Sequence, residues 1–381
     1  MRKGWEYKKL GEVCDITMGQ SPDGNSINEV NGVEFHQGKT CFGERFLGVS
    51  PLYSNAPTKL AEAHSVLLCV RAPVGYPNIT DRKICIGRGL CALYAKREID
   101  NTFLYYSLLG KQSYFEKNAT GSTFKAISSK IVSNTTLSIP PISTQLAIVS
   151  ELDKINELIR LKKEQLKDFD KLAQSLFYEM FGDPVENEKG WEVKKIGDLA
   201  LVKTGPFGSM LHKEDYICDG IPLVNPVHMK DFKIVPNLDF TISKEKASEL
   251  ENYLLKSNDV VFARRGDIGR CAIVSEAEQG FICGTGSLFV RFSKEIESIF
   301  IMYIIRCDSF SKHLISKAKG ATMLNINSNT ISDLRIPLPP LSLQRLFAQR
   351  IEQIEREKSE VQKSIQDLET LLASHMQYWF E

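Results

Sequence analysis

The sequence predicts an α+β chain built as a pseudo-twofold circular repeat. Two tandem, similar, strand-rich globular domains are joined by two long helices that form an intramolecular antiparallel coiled coil. Three observations predict it. Trp5-Glu6-Tyr7-Lys8-Lys9-Leu10-Gly11-Glu12-Val13 returns as Trp191-Glu192-Val193-Lys194-Lys195-Ile196-Gly197-Asp198-Leu199. Residues 121–145 return without a gap as 320–344. Each copy then ends in a long run of heptad-spaced apolar residues. The unit is longer than the roughly 20–50 residues of a solenoid repeat, so each copy needs its own core. Two copies of one unit imply two copies of one binding task.

The first globular part covers residues 1–143 and its copy 185–342. Both are rich in Gly, Asn and Ser and carry short β-prone runs such as Ser65-Val66-Leu67-Leu68-Cys69-Val70 and Val260-Val261-Phe262-Ala263, the pattern of strands broken by many turns. Apolar-aromatic stretches at 101–109 and 299–306 have helical period, and 308–317 suits a further short helix. Each domain closes on a proline knot, Ile139-Pro140-Pro141-Ile142 and Leu338-Pro339-Pro340-Leu341. A proline pair blocks helix upstream and suits a helix start, with Ser143 or Ser342 as N-cap.

The helical segments are 144–184 and 343–381, each with about 37 residues of helix, or roughly 55 Å. The first seam contains Leu152, Ile155, Ile159, Leu166 and Phe169; the second contains Ile351, Ile354, Val361, Ile365 and Leu368. Lys162 and Lys358 interrupt these seams near the middle, where a polar residue fixes register at a cost in stability or snorkels to solvent. A single such helix leaves its seam bare. A parallel homodimer would cover it, but a chain with two matched helices pairs them internally. Phe181 corresponds to Phe380, so the second copy ends where the first hands over to the next Trp, and the chain ends should meet. Leu158, Leu161 and Leu172 lie off the first seam and either widen it or face a further helical partner.

In 381 residues, 43% are hydrophobic and 25% charged, the balance of a globular protein. The longest apolar run, 299–305, is far below the roughly 20 residues of a membrane span, and no leader is expected, which points to the cytoplasm. Nine cysteines without a CxxC pair read as reduced thiols. The net charge of +1 is unevenly spread. Residues 1–143 carry 17 Lys/Arg against 12 Asp/Glu, whereas 185–342 carry 20 of each. The first domain thus favours phosphate contact overall, and the second depends on local clusters such as Arg264, Arg265 and Arg270.

No catalytic constellation is present: there is no GxxxxGK[ST], no GxGxxG after a strand, no HExxH and no metal-spaced histidines among the six. Asn225-Pro226-Val227-His228 lacks the Pro-aromatic with which an aminomethyltransferase holds an extruded base, and reads as a turn after a strand. The chain is a binding protein. Arg71-Ala72-Pro73-Val74-Gly75 aligns with Arg265-Gly266-Asp267-Ile268-Gly269, each directly after an apolar strand, so an arginine is delivered on a turn where it forks onto guanine O6/N7 or onto phosphate. The bland alternative is a surface salt bridge. The loops Gly121-Ser122-Thr123-Phe124-Lys125 and Gly320-Ala321-Thr322-Met323-Leu324-Asn325 keep a glycine and change side chains, as expected of copies reading different sequences. Gln37, Lys39, Arg88, His228 and Lys230 complete the DNA-contact candidates with Lys125 and Asn325.

The order of these features resembles the specificity subunits of type I restriction-modification enzymes. The resemblance rests on the doubled Trp-x-x-x-x-(Leu/Ile)-Gly-(Glu/Asp) start, Gln37-Gly38-Lys39, Gly220-Ile221-Pro222-Leu223, the Arg-x-x-x-Gly turns, and the knot leading to Gln145 or Gln344 and a heptad helix. It implies two target-recognition domains reading the halves of a split, asymmetric site in double-stranded DNA. It implies that the helices dock two modification subunits, which bring S-adenosylmethionine and methylate adenine. Restriction subunits, with ATP and Mg, would join through them. This chain itself would hold no cofactor or metal and catalyse nothing. Where several relatives have Glu-Gln after the knot, this chain has Thr144-Gln145 and Leu343-Gln344, so a partner contact carried by that acid is not carried over by the resemblance. Two readings stay open beside it: a recognition subunit for another type of methyltransferase or nuclease, orphan methylases included, and a coiled-coil protein adaptor.

Overall fold

The computed structural model describes residues 4–121, 125–207, 210–318 and 325–380. They fall into two compact units, Met1–Glu164 with Gln362–Glu381, and Gln165–Val361. Each unit holds one strand-rich domain and one half of each long helix, Ile142–Phe181 and Leu341–Phe380. The fold is therefore the α+β circular repeat expected from the sequence.

In the first unit, the Trp5 motif becomes the strand Glu6–Lys9, which pairs antiparallel with Thr136–Ile139, Glu6 opposite Ile139. The second unit repeats this with Glu192–Lys195 and Arg335–Leu338. The two best-repeated stretches of sequence are thus hydrogen-bonded partners at the root of each domain, directly before the long helix. Gly11 and Gly197 lie there against Ser133 and Ser332, and a Cβ on Gly197 would stand 3.0 Å from that of Ser332. Close backbone approach explains the repeated glycine.

The central sheet in the first unit runs Cys14–Met18, Leu90–Ala95, Val66–Cys69, Pro77–Ile79, all antiparallel. Its copy runs Ala200–Thr204, Ser287–Phe292, Val260–Ala263, Cys271–Ile273. A second sheet in each unit contains a parallel pair, Val33–His36 with Ile84–Ile86 and Ile221–Val224 with Ile282–Cys283. Burial on both faces turns strands such as Val66–Cys69 into unbroken apolar runs. The helices Asn101–Gly110 and Ser298–Arg306 cover these sheets, and Asp308–Lys317 is helical as expected.

Helix pairing is visible within each unit. In the first, Glu151 contacts His375 and Lys163 Nζ lies 2.9 Å from Glu369 Oε1; in the second, Lys358 Nζ donates to Asp170 Oδ1 at 2.9 Å. Partner numbers fall as the other helix rises, which is antiparallel pairing. Leu152, Ile155, Ile159, Ile351, Ile354, Val361 and Ile365 are buried, and Leu166, Phe169 and Leu368 are half-buried. Lys358 keeps its charge against burial through Asp170 and Glu355, so it is a paired seam residue. Leu158, Leu161 and Leu172 remain 46–53% exposed and do not widen the seam.

Two details differ from expectation. The helices span 40 residues each. They start before Ser143 and Ser342, because the carbonyls of Pro141 and Pro340 already accept from the amides of Gln145 and Gln344. The prolines therefore occupy the N-cap position. Each glutamine, fully buried, uses its side chain to hold the knot: Gln145 Nε2 donates to Pro140 O at 2.8 Å and Gln344 Nε2 to Pro339 O at 2.9 Å. At the other helix end Phe380 packs on Phe103 and Phe181 on Phe300, ring centroids 5.4 and 4.8 Å apart. In the first unit the Trp5 and Trp379 rings stack at 6.2 Å, so the two chain ends do meet.

Seven cysteines are buried, Cys41 is half-buried and Cys218 exposed, and none is disulfide-bonded. Among the described residues no helix is long and apolar enough to cross a membrane.

Candidate nucleic-acid interface

Three strand ends converge in the first domain. Val66–Cys69 ends at Val70, whose amide donates to Gly89 O and whose carbonyl accepts from Ile127 N, both at 2.9 Å. Arg71 follows, bridged to Ala126, and Ala72 N donates to Lys125 O at 3.0 Å, so the exposed Arg71 and Lys125 sit on adjacent backbone. The parallel pair delivers the other two ends: Val33–His36 runs into Gln37-Gly38-Lys39, and Ile84–Ile86 into Gly87-Arg88-Gly89. Gly89 lies against the carbonyl of Gln37 so closely that any side chain would collide with it.

The result is a cleft of about 290 Å³ lined by Gln37, Lys39, Arg71 and Arg88 over Cys69 and Pro73. Lys39 Nζ stands 4.0 Å from the Tyr76 ring centre, and Ser21 Oγ donates to Gln37 Oε1 at 3.1 Å. Among the described residues no carboxylate pairs with Lys39, Arg71, Arg88 or Lys125. A cleft lined by positive charge without a protein counterion draws anions to it. Cys69 does not supply a nucleophile here: burial pushes its thiol up to about 12, against the pull of Lys39.

Arg82 shows the contrast. It forks onto Glu34, Nε to Oε2 at 2.6 Å and Nη2 to Oε1 at 2.7 Å, and Glu34 also accepts from Ser50 N. Burial would raise the Glu34 carboxyl, but Arg82 and Ser50 hold it down to about 2. That arginine serves the fold.

The second domain repeats the frame with other side chains. Arg264 N donates to Gly286 O at 3.0 Å and Ile326 N to Arg264 O at 2.9 Å, the places of Val70 with Gly89 and Ile127. Arg265 is exposed and bridges Asn325 as Arg71 bridges Ala126. Arg264 is half-buried; its Nε has no partner among the described residues, and burial, with the charge of Arg265 beside it, lowers its pKa. Asn325 is half-buried, and its Oδ1 likewise lacks a partner. Thr285, between Gly284 and Gly286, stands where the first domain has Arg88. Lys230 is exposed on the hairpin of Met229–Lys230 with Lys233–Ile234.

Two candidates are placed differently. His228 is only 9% exposed, with Nδ1 2.7 Å from Leu223 O and 3.2 Å from Asn225 N; it holds the turn after a strand. Arg270 is committed locally, Nε and Nη2 to Asp267 Oδ2 at 2.9 and 2.7 Å and Nη1 to Pro226 O at 3.2 Å. Asn225 was missed. It occupies the place of Gln37, following the parallel strand, and its Oδ1 accepts from Gly286 N at 3.1 Å. Its signal in the sequence was a carboxamide directly after the same strand in both copies. Residues 122–124 and 320–324 of the glycine loops lie outside the described residues.

Unpaired cations beside carboxamides at strand ends are the chemistry of a nucleic-acid surface, and the chain belongs to the family that the type I restriction modification DNA specificity domain defines. The family model matches residues 2–168 and again 188–370. The MjaX specificity subunit of Methanocaldococcus jannaschii is 38% identical over 176 residues, a match spanning 45% of this chain and 41% of that protein. The type I restriction enzyme MjaIX specificity subunit of the same organism is 24% identical over 91% of this chain and 85% of its own length. A chain in a solved structure of the type I R-M system shares the fold with a TM-score of 0.69, 19% identity, and coverage of 100% of this chain and 98% of that one. The chain is a non-catalytic specificity component.

Proposed function

We propose that this chain reads a split, asymmetric site in double-stranded DNA, one half-site per domain, and carries the catalytic subunits of a type I restriction-modification complex to it. Residues 1–143 and 185–342 are the two recognition domains; 144–184 and 343–381 form the rod between them. The observation that carries the reading is the cleft where Lys39, Arg71 and Arg88 converge with Gln37, with no carboxylate partner among the described residues. Phosphate contacts position and base contacts specify, so the lysines and one arginine suit the backbone and Gln37 suits an adenine edge. In the second domain Arg264, Arg265, Asn325 and Lys230 take these roles. The change of Arg88 to Thr285 and of Gln37 to Asn225 between copies supports unlike half-sites. His228 is assigned to the turn.

The exposed Leu158, Leu161 and Leu172 form the face on which two modification subunits dock, and restriction subunits assemble through those. S-adenosylmethionine, ATP and Mg belong to those partners, and the complex works on genomic DNA in the cytoplasm. The test is co-expression with the modification subunit and single-molecule sequencing of methylated adenine. A motif of two unlike halves with a fixed gap is expected, changing in one half when 1–143 is exchanged and in the other when 185–342 is. A palindromic or ungapped motif would refute it.

A further inference from the structure

The first domain touches its end of the rod through a polar latch that is not repeated among the described residues of the second copy. Arg45 Nη1 donates to Asp153 Oδ1 at 2.8 Å and Nη2 to Asp153 Oδ2 at 3.3 Å, a forked pair with the arginine side chain only 23% exposed. Tyr106 Oη donates to the same Asp153 Oδ1 at 2.6 Å and accepts from Asn156 Nδ2 at 3.1 Å. Asp153 and Asn156 lie on Ile142–Phe181, one turn apart. The Arg45 guanidinium is wedged by Phe46, Tyr105 and Tyr106, 5.4 to 5.8 Å from their ring centres.

On the domain side Arg45 is tied to the reading machinery. Ile79 N donates to Arg45 O and Leu47 N to Ile79 O, both at 2.9 Å. Ile79 pairs with Val66, the first residue of the strand whose far end delivers Arg71. Hydrogen bonds and backbone thus run continuously from helix to reading loop. Beside the latch lies an open cleft of about 780 Å³ lined by Phe46, Ile159 and Met376, so the apolar packing that seats the domain on Ile148, Leu152 and Phe380 is not continued there.

In the second copy the helix position of Asp153 is Glu352, exposed. On the domain side Lys233 Nζ lies 3.8 Å from Glu355 Oε2 of that helix, with its side chain 76% exposed. Such a pair contributes little.

We infer that Arg45 is a positioning residue: through Asp153 and Tyr106 it sets the angle of the first recognition domain on the rod, and with it the tolerance of the complex for the length of the unread gap. This rests on the split-site reading above. A forked Arg–carboxylate pair is geometrically specific where a lysine contact is not. Without it the domain, still seated on Ile148, Leu152 and Phe380, loses this constraint on its angle, and sites with one base pair more or fewer become readable.

The experiment uses the full chain with its modification subunits and a library of sites with fixed half-sites and gaps of n−1, n and n+1 base pairs. Wild type serves as control for the reading: no methylation confined to one gap would defeat the split-site reading and this inference with it. With that control in place, Arg45→Ala and Asp153→Ala each raise methylation at n±1 relative to n by roughly tenfold, non-additively when combined. The reversed pair Arg45→Asp with Asp153→Arg narrows the preference again. Lys233→Ala leaves it unchanged. A gap preference unmoved in Arg45→Ala, with the complex assembled and methylating, overturns the inference; an altered base preference in the first half-site overturns it too, by making Arg45 a reader.

Discussion

Gln145 accepts the amide of Asp100 on its Oε1 at 2.8 Å, which locks the first turn of the long helix to the start of Asn101–Gly110. Its Nε2 donates to the carbonyls of Glu98 and Pro140 as well. Gln344 repeats the arrangement with Glu297 N at 3.1 Å and Pro339 O. A fully buried carboxamide that satisfies backbone groups from two segments holds domain and helix in one geometry. Gln145→Leu leaves those groups unpaired at nearly constant volume. We expect it to destabilise the first unit by about 2–4 kcal/mol, and Gln344→Leu the second by less, since fewer bonds are lost. Urea unfolding followed by hydrogen exchange at residues 98–105 checks the order; equal protection in both variants would contradict it.

The uncompensated cations predict salt behaviour. Each phosphate contact removed lowers the slope of log affinity against log salt by roughly 0.9. Lys39→Ala and Arg88→Ala should each flatten the slope by about one contact and weaken binding at all sequences. Arg71→Ala should either do the same or, if it forks onto guanine, cost about 1–3 kcal/mol at one base position only. Arg270→Ala, whose charge Asp267 neutralises, should leave the slope unchanged. Fluorescence anisotropy between about 50 and 200 mM salt separates these cases.

How much of this was legible follows from where each signal lies. The heptad stripe is local and periodic, so Leu152 through Phe169 and Ile351 through Leu368 stood out, and the turn carrying Arg71 was marked by the apolar strand before it. The parallel pairing of Val33–His36 with Ile84–Ile86 joins segments about fifty residues apart and leaves no local trace, so the meeting of Gln37 with Arg88 became visible only in three dimensions. Asn225-Pro226-Val227-His228 was legible as a turn after a strand, but the sequence could not show that the His228 ring, a contact candidate, turns inward to Leu223 O. The serines after the proline knot resembled N-caps, but the proline carbonyls had already opened the helix. Arg45 carried no motif at all, since its partner Asp153 is 108 positions away.

Glu34 predicts an acid response of the first unit. Its carboxyl is held at about 2 in the folded chain, below the ordinary 4.5. A depressed carboxylate stabilises the fold fully above the unfolded value and loses that contribution as pH falls from about 4.5 towards 2. Stability of the first unit should therefore fall across that window. Glu34→Gln should flatten this part of the curve, and it should cost about 1–3 kcal/mol at neutral pH, because Arg82 loses its forked partner and keeps the exposed Asp81 as its counter-charge. Circular dichroism melts from pH 2 to 7 give both numbers; an unchanged slope in the variant would show that other carboxylates control the acid limb.

If the rod sets the gap between half-sites, shortening it should move the gap and nothing else. The deletion must respect the antiparallel register fixed by Glu151 with His375 and Asp170 with Lys358. Removing 162–168 from one helix and 360–366 from the other takes one heptad from each, and both register pairs survive. The ion pair of Lys163 with Glu369 is lost, an exposed contact of about 0.5 kcal/mol. Seven residues shorten the rod by about 10 Å, close to three base pairs of DNA, and turn one end against the other by only about 20°. Methylated-adenine sequencing should then report both half-sites unchanged with a gap about three base pairs shorter. Removing four residues from each helix instead breaks the seam phase and should abolish methylation. Half-sites that change while the gap stays fixed would mean that the helices do not act as the spacer.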